Sequence, residues 1–132
     1  MLRSILAVVA AIFTWFLTAT VLNLVLRATL SGYSAAEPTL AFTLPMMISR
    51  LALGLMASLA AGLACAAVAK RGIAAKVAAG IMLLLFLPVH YMLWAKFPIW
   101  YHLFFLITLA PTMLIGATLV RRPAVVRTSA TV

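Results

Sequence analysis

Four long apolar stretches, separated by short polar segments, make up most of this 132-residue chain. A helix needs about 20 mainly apolar residues to cross the roughly 30 Å of hydrocarbon in a bilayer. Each stretch has about that length, and a soluble domain of this size could not bury so much apolar surface. The predicted spans are residues 4–26, 44–69, 77–95 and 99–120. The pattern therefore predicts an all-α, polytopic membrane protein that is a bundle of four transmembrane helices.

We expect the whole bundle to be one domain, residues 1–122, followed by a short tail, residues 123–132. The first stretch follows Arg3 and could be mistaken for a secretion signal. It is, however, longer than the usual signal core of about 7–15 residues, and no small-residue cleavage site follows it. We therefore expect a retained span.

The basic residues predict the orientation of the bundle. Lys and Arg are more frequent in cytoplasmic segments than on the opposite side of a membrane. If both termini are cytoplasmic, the cytoplasmic residues are Arg3, Lys70, Arg71, Lys76, Arg121, Arg122 and Arg127, and the outer ones are Arg27, Arg50 and Lys96. This asymmetry predicts cytoplasmic N- and C-termini, with the loop at residues 28–43 on the outer face.

The net charge adds little beyond this orientation. Ten Lys and Arg against one acidic residue give a formal charge of +9, which in a soluble protein would suggest nucleic acid. Here the basic residues lie at the ends of apolar stretches, where they contact anionic lipid headgroups. We therefore expect the lipid bilayer as a partner and no nucleic acid. The single cysteine, Cys65, excludes an intrachain disulfide.

Small residues recur every four positions in the second stretch, at Gly54, Ser58 and Gly62. Small side chains at this spacing allow two helix backbones to approach closely inside a membrane. The first interpretation is helix packing within one bundle. The alternative is association of two copies of the chain through this stripe.

Polar side chains near the predicted outer face form a candidate binding site. Arg50 lies five residues after Pro45, about 7 Å into the second span. It either extends to the headgroups or pairs with Glu37, the only acidic residue. Asn23 and Arg27 share one helix face and could join that pair. Such a cluster would lock the outer loop onto the bundle or attract a carboxylate or phosphate.

Two histidines form the second part of the candidate site. His90 and His102 flank the turn between the last two spans, so we expect them at similar depths on neighbouring helices. Two imidazoles can begin a metal or haem site or relay protons, whereas the alternative is two separate interfacial histidines. No further ligand lies at a diagnostic spacing, so we expect no metal and no cofactor. Kinks at Pro88 and Pro111 could open a pocket lined by these histidines and Tyr91.

The chain lacks every sequence motif that would indicate an enzyme. No acidic residue lies in a predicted span, and there is no catalytic triad, CxxC or nucleotide-binding glycine loop. We therefore expect no enzyme and no catalytic residue. The preferred interpretation is an accessory or scaffold bundle, present as a homo-oligomer or in a larger membrane complex. The alternative is a transporter or binder of an anionic or amphiphilic small molecule, with an outer-face pocket of Arg50, Glu37, His90, Tyr91 and His102.

The chain also resembles the small four-span inner-membrane proteins of proteobacteria, a family without a known activity. The resemblance rests on the segments FTLPMMISR at residues 42–50, PVHY at 88–91 and FPIWYH at 97–102. It covers nearly the whole chain, through Arg122. It implies the four-span fold and a location in the bacterial cell inner membrane, and it assigns no binding residue.

Overall fold

The apolar stretches form long helices in the computed structural model of the protein, which describes residues 1–69 and 72–120. The helices are α1 (Leu2–Thr29), the short α2 (Tyr33–Ala36), α3 (Leu44–Val68), α4 (Ile73–Met92) and α5 (Ile99–Leu119). The four long ones are long and apolar enough to cross a membrane, as in a multi-pass membrane protein. The prediction of an all-α bundle of four long helices is confirmed. The predicted tail at residues 123–132 lies outside the described residues.

The helix boundaries follow local sequence signals, and α4 differs most from its predicted span. It begins at Ile73 instead of residue 77, because a helix can extend beyond the hydrocarbon and carry Lys76 in its first turn. It ends at Met92 instead of residue 95, where the chain begins the turn that leads to Pro98. Proline disfavours a helical conformation for the residue before it, so the turn is completed before α5 starts.

The four long helices form a ring in which each one contacts two main neighbours. α3 packs most extensively, against α1 and α5, and α4 closes the ring by contacting the same two helices. Residues 30–43 and 93–98 connect the helices at one end, which we call the loop end. The starts of α1 and α4 meet at the opposite end, where Ser4 and Ile73 border one groove. We call this the terminal end, and the last turn of α5 also lies there.

Small residues let α3 pack closely between α1 and α5. Gly54, Ser58 and Gly62 are all buried. A Cβ atom added to Gly62 would overlap the backbone carbonyl oxygen of Met113 in α5. On the other side, the Trp15 indole Nε1 of α1 donates a hydrogen bond to Ser58 Oγ at 3.0 Å. The stripe thus packs within the bundle, and dimerisation through it would require these helices to separate.

Candidate binding site

A cavity of about 420 Å³ lies between α1 and α4 in the half of the bundle nearer the loop end. Side chains of α3 and α5 form its back wall. Pockets for small molecules typically measure about 300–1,000 Å³, so its size is sufficient for a ligand. Phe16 and Leu24 of α1 and Val89 of α4 line the cavity and are also exposed on the bundle surface. The cavity therefore opens sideways between α1 and α4, where lipid chains would surround the protein.

Five polar residues at the loop end form one hydrogen-bonded network. Arg50 Nη1 donates to Tyr33 Oη at 2.6 Å, and Tyr33 Oη donates to Asn23 Oδ1 at 2.7 Å. Asn23 Nδ2 in turn donates to Glu37 Oε1 at 2.8 Å. Arg27 Nε donates to the other carboxylate oxygen of Glu37 and forms an ion pair with it. The network joins the loop to both α1 and α3.

The local sequence explains why these residues meet. Asn23 and Arg27 are one helical turn apart, so both present their side chains on the same face of α1. Gly32 has a φ of +77°, in the left-handed region that glycine adopts without strain. The turn at Gly32 directs the chain back over the bundle, and Tyr33 in the next position is completely buried. Glu37 follows one helical turn later and faces Asn23.

The network fixes the charge state of its acidic and phenolic groups. Burial alone would raise the pKa of Glu37, but hydrogen bonds from Asn23 and Arg27 and the charges of Arg27 and Arg50 outweigh it. The pKa of Glu37 is consequently below its usual value of 4.5. Burial raises the pKa of Tyr33 above its usual value of 10.0, against the charge of Arg50. Near pH 7 the network therefore contains one carboxylate, one neutral phenol and two guanidinium groups.

Arg50 is the guanidinium that has no carboxylate partner. Within residues 1–69 and 72–120, the only ion pair is that of Arg27 and Glu37. Arg50 has instead the Tyr33 hydroxyl and the face of the Phe42 ring, 4.7 Å from its Cζ atom. Its Nε is buried without a hydrogen-bond partner among the described residues. Because Arg50 also lines the cavity, it provides a positive charge that an entering anion can neutralise.

The two histidines meet directly behind the cavity. His90 Nδ1 and His102 Nδ1 are 2.8 Å apart, so one nitrogen must donate a hydrogen bond and the other must accept it. His90 lines the cavity and is 7% exposed, whereas His102 is completely buried and does not line it. The Trp94 ring stacks on His102 with 5.0 Å between ring centroids. The prediction of similar depths on neighbouring helices agrees with this geometry.

Three of the residues proposed from the sequence line the same cavity: Arg50, Glu37 and His90. His102 contacts it only through His90. Tyr91 does not belong to the site, since its side chain is 80% exposed and lines no part of the cavity. Consecutive residues of an α-helix with 3.6 residues per turn point about 100° apart. Tyr91, one position after the inward-facing His90, therefore points away from the cavity.

The direct pairing of Arg50 with Glu37, the sharper of the two sequence interpretations, also needs correction. Tyr33 and Asn23 lie between them, and Glu37 pairs with Arg27 instead. The physical reason is the position of Arg50 on α3, below the loop, where the buried Tyr33 hydroxyl is its nearest partner. Sequence spacing places residues on helix faces but does not give the path of a loop above them.

Sequence reasoning missed three aromatic residues of the site. Tyr33 is the central residue of the network. Tyr101 and Trp15 line the cavity wall. A signal existed for Trp15, because a tryptophan in the middle of a span has an N–H group that needs a partner. For the two tyrosines no sequence signal separates an interfacial position from a buried one.

Among the residues that the structure describes, no three His, Cys, Asp or Glu side chains are grouped closely enough to hold a metal ion.

No protein-family model, no curated protein and no solved structure matches this chain.

Proposed function

We propose that this protein binds a small amphiphile with an anionic headgroup, taken up sideways from the membrane between α1 and α4. The observation that carries the proposal is the position of Arg50, a cation without a carboxylate partner on the wall of a laterally open cavity. A charge inside a membrane span is costly, and such residues usually serve a ligand or an ion.

The cavity has the polarity of an amphiphile. Arg27 and Trp15 mark its two ends along α1, and a rise of 1.5 Å per residue makes it about 18 Å long. Asn23, Glu37 and Arg50 lie at the loop end, while the deeper part is lined by aromatic rings, including Phe86. This arrangement favours a ligand whose polar group is at the loop end and whose apolar chain extends toward Trp15.

The charge of the lining favours a single negative charge on the ligand. Arg27 and Glu37 neutralise each other, which leaves the charge of Arg50. Electrostatic attraction is stronger in the low dielectric of a protein interior than in water. A monoanion at Arg50 would make the filled site neutral, whereas a cationic headgroup would be repelled.

The accessory or scaffold hypothesis loses its main support. It rests on the stripe of Gly54, Ser58 and Gly62 and on the lack of a charge pathway through the predicted spans, and the residues of the stripe are buried against α1 and α5. The stripe therefore supplies no argument for a second copy or another membrane protein. We prefer binding of a ligand for this reason, and we propose no enzymatic reaction.

For the location we propose the bacterial inner membrane, with the loop end outside and the terminal end in the cytoplasm. The excess of basic residues supports this orientation, and two of them, Arg3 and Lys76, belong to helix starts at the terminal end. Reporter fusions in the loop at residues 30–43 test it. A reporter that is active only in the periplasm should be active there. Activity of a reporter that works only in the cytoplasm would show that the orientation is the opposite one.

The binding proposal can be tested through Trp15, which lies in the cavity wall. In a variant with Trp94→Phe and Trp100→Phe, Trp15 is the only tryptophan left. A fatty acid brominated in the middle of its chain should quench this fluorescence with a saturable dependence on concentration. Arg50→Gln should weaken the apparent affinity by about tenfold or more, since hydrogen bonds to charged groups contribute about 1.5–3 kcal/mol.

Lys96→Gln is the matched control, because it removes a charge at the same end of the bundle from an exposed residue outside the cavity. The affinity of this variant for the brominated fatty acid should equal that of the protein without the Lys96 substitution. Quenching that is linear in concentration, or that is the same for the Arg50 and Lys96 variants, would contradict the proposal. Circular dichroism of each variant checks that the fold is retained.

A further inference from the structure

We propose that His102 is a positioning residue that holds His90 in the tautomer with its Nε2–H toward the cavity. His90 then adds a hydrogen-bond donor to the positive charge of Arg50, and the site selects a carboxylate over an alcohol or an amine of the same chain length. The ligand class rests on the proposed function above, whereas the tautomer does not.

The geometry of the imidazole pair allows two neutral arrangements. The 2.8 Å between the two Nδ1 atoms accommodates one hydrogen bond, with the hydrogen on His90 or on His102. If His102 Nδ1 carries it, His90 has its own hydrogen on Nε2. If His90 Nδ1 carries it, His90 Nε2 is a bare acceptor and His102 has its hydrogen on Nε2.

The surroundings of His102 decide between these arrangements. His102 Nε2 is buried and has no hydrogen-bond partner within the described parts of the chain. Buried backbone N–H groups without an acceptor are rarer than acceptors without a donor, and we apply the same preference to an imidazole. Hydrocarbon around the bundle offers no substitute partner. The bare nitrogen therefore belongs at His102 Nε2, so His102 donates to His90 and His90 keeps its hydrogen on Nε2.

His90 is placed to use that hydrogen. Its ring stacks on Phe105, with centroids 4.6 Å apart, and lies beside Tyr101, with centroids 6.2 Å apart. Tyr101 also lines the cavity, as does Arg50. Since Nδ1 of His90 is held by His102, Nε2 is the ring nitrogen left for a ligand. The lining then contains two donors that a ligand can use, His90 and Arg50.

Three acceptor groups near the headgroup position already hold hydrogen bonds within the protein. Tyr33 Oη accepts from Arg50, and Asn23 Oδ1 accepts from Tyr33. Both carboxylate oxygens of Glu37 hold a donor, one from Asn23 and one from Arg27. A carboxylate needs donors only and carries the single charge that neutralises Arg50. An alcohol lacks that charge, while an amine adds a positive charge.

The tautomer can be tested without any ligand, because the chain contains only two histidines. Solid-state NMR of the full chain, labelled with ¹⁵N-histidine and held in bilayers, resolves the four ring nitrogens. The measurement is made at about pH 8, well above the usual histidine pKa of about 6.5, so that both imidazoles are expected to be neutral. We expect protonated nitrogens at His102 Nδ1 and His90 Nε2 and bare nitrogens at the other two positions. The opposite pattern, an equal mixture, or a charged imidazole would overturn the assignment.

Selectivity is tested with three brominated probes of one chain length: a carboxylate, an alcohol and an amine. The expected order of affinity is carboxylate first, with the alcohol about tenfold weaker and the amine weakest. His102→Asn should retain this order, because its side-chain amide can still donate to His90 Nδ1. His102→Phe should remove the donor and reduce the preference for carboxylate over alcohol severalfold.

The two proposals fail in different ways. If all three probes fail to bind, the proposed function and the ligand class are overturned, while the NMR pattern still decides the role of His102. If the carboxylate binds but His90 Nε2 carries no hydrogen, the positioning role is overturned and the function stands. Equal affinity for carboxylate and alcohol in the protein with both histidines would overturn the selectivity. A fold defect in the phenylalanine variant does not affect either measurement on the unaltered chain.

Discussion

Replacing Gly62 by alanine should strongly destabilise the bundle, because α3 and α5 touch through their backbones there. A Cβ atom at Gly62 would overlap the Met113 carbonyl oxygen and lie 2.8 Å from the Ala117 nitrogen. Real Cβ contacts are almost never shorter than 3.0 Å, and backbone atoms cannot move aside as a flexible side chain can. The two helix backbones must therefore move apart at this contact.

The magnitude follows from two opposing effects. Overpacking of a close-packed interior costs about 1–3 kcal/mol, and a clash between backbones belongs at the upper end of that range. Alanine in place of glycine within a helix contributes about 1 kcal/mol of stability. We therefore expect a net loss of about 2 kcal/mol in the free energy of unfolding. Gly80→Ala is the matched control, because no atom lies within 4 Å of the added Cβ and only the stabilising effect remains.

Reversible unfolding in mixed micelles of increasing SDS fraction, followed by circular dichroism, measures both free energies. The Gly80 variant should be equal to or more stable than the unaltered protein, and the Gly62 variant clearly less stable. If Gly62→Ala is as stable as Gly80→Ala, the close contact of α3 with α5 is wrong. Crosslinking in bilayers complements the assay. If the stripe packs within one chain, Gly62→Ala should not reduce the amount of any crosslinked dimer that the unaltered protein forms.

Three further predictions concern the hydrogen-bonded residues. Ser58→Ala leaves a buried indole N–H without its acceptor and should cost about 1 kcal/mol in the same unfolding assay, whereas Ser49→Ala should change stability by less than about 0.5 kcal/mol. Tyr33→Phe should speed hydrogen exchange of the backbone amides in residues 33–42, because the loop loses its hydrogen bond to Arg50 of α3, and Tyr91→Phe should leave the exchange unchanged. Glu37→Gln should remove a pH dependence of the free energy of unfolding, because the pKa of Glu37 is lowered in the folded protein. The stability that Glu37 contributes is present above about pH 4.5 and is lost as the pH falls through the lower pKa of the folded state. Equal slopes of stability against pH below about 4.5 in both proteins would contradict this.

The hydrophobic pattern sufficed to predict the helices because their solvent is so restrictive. Backbone groups in hydrocarbon must pair within the segment, so a long apolar stretch has few alternatives to a helix. The small-residue stripe likewise indicated a close helix contact. It did not identify the partners, since any helix can fill a groove lined by glycine and serine. Trp15 and Met113 are recognised as its neighbours only once the order of the helices around the ring is known.

The candidate site was only partly predictable, because its residues come from the four long helices and from both connections at the loop end. Helical spacing placed Asn23 and Arg27 on one face, and both contact Glu37 as that spacing suggests. The burial of Tyr33 depends instead on a turn at Gly32 whose direction no periodicity encodes. Tyr91 was wrongly included because proximity in sequence to His90 does not place a residue on the same helix face.

The most direct test of the account is photolabelling with a fatty carboxylate that carries a diazirine at the end of its chain. Peptide mass spectrometry should locate the label mainly at the deep end of the cavity, in residues 15–20 of α1 and 86–89 of α4, and Arg50→Gln should strongly reduce it. A second groove between the same helices, lined only by apolar surface near Ile5 and Ile81 at the terminal end, serves as an internal comparison. Equal labelling of both grooves, unaffected by Arg50→Gln, would mean that the ligand follows apolar surface alone, and the proposed anion site would be wrong.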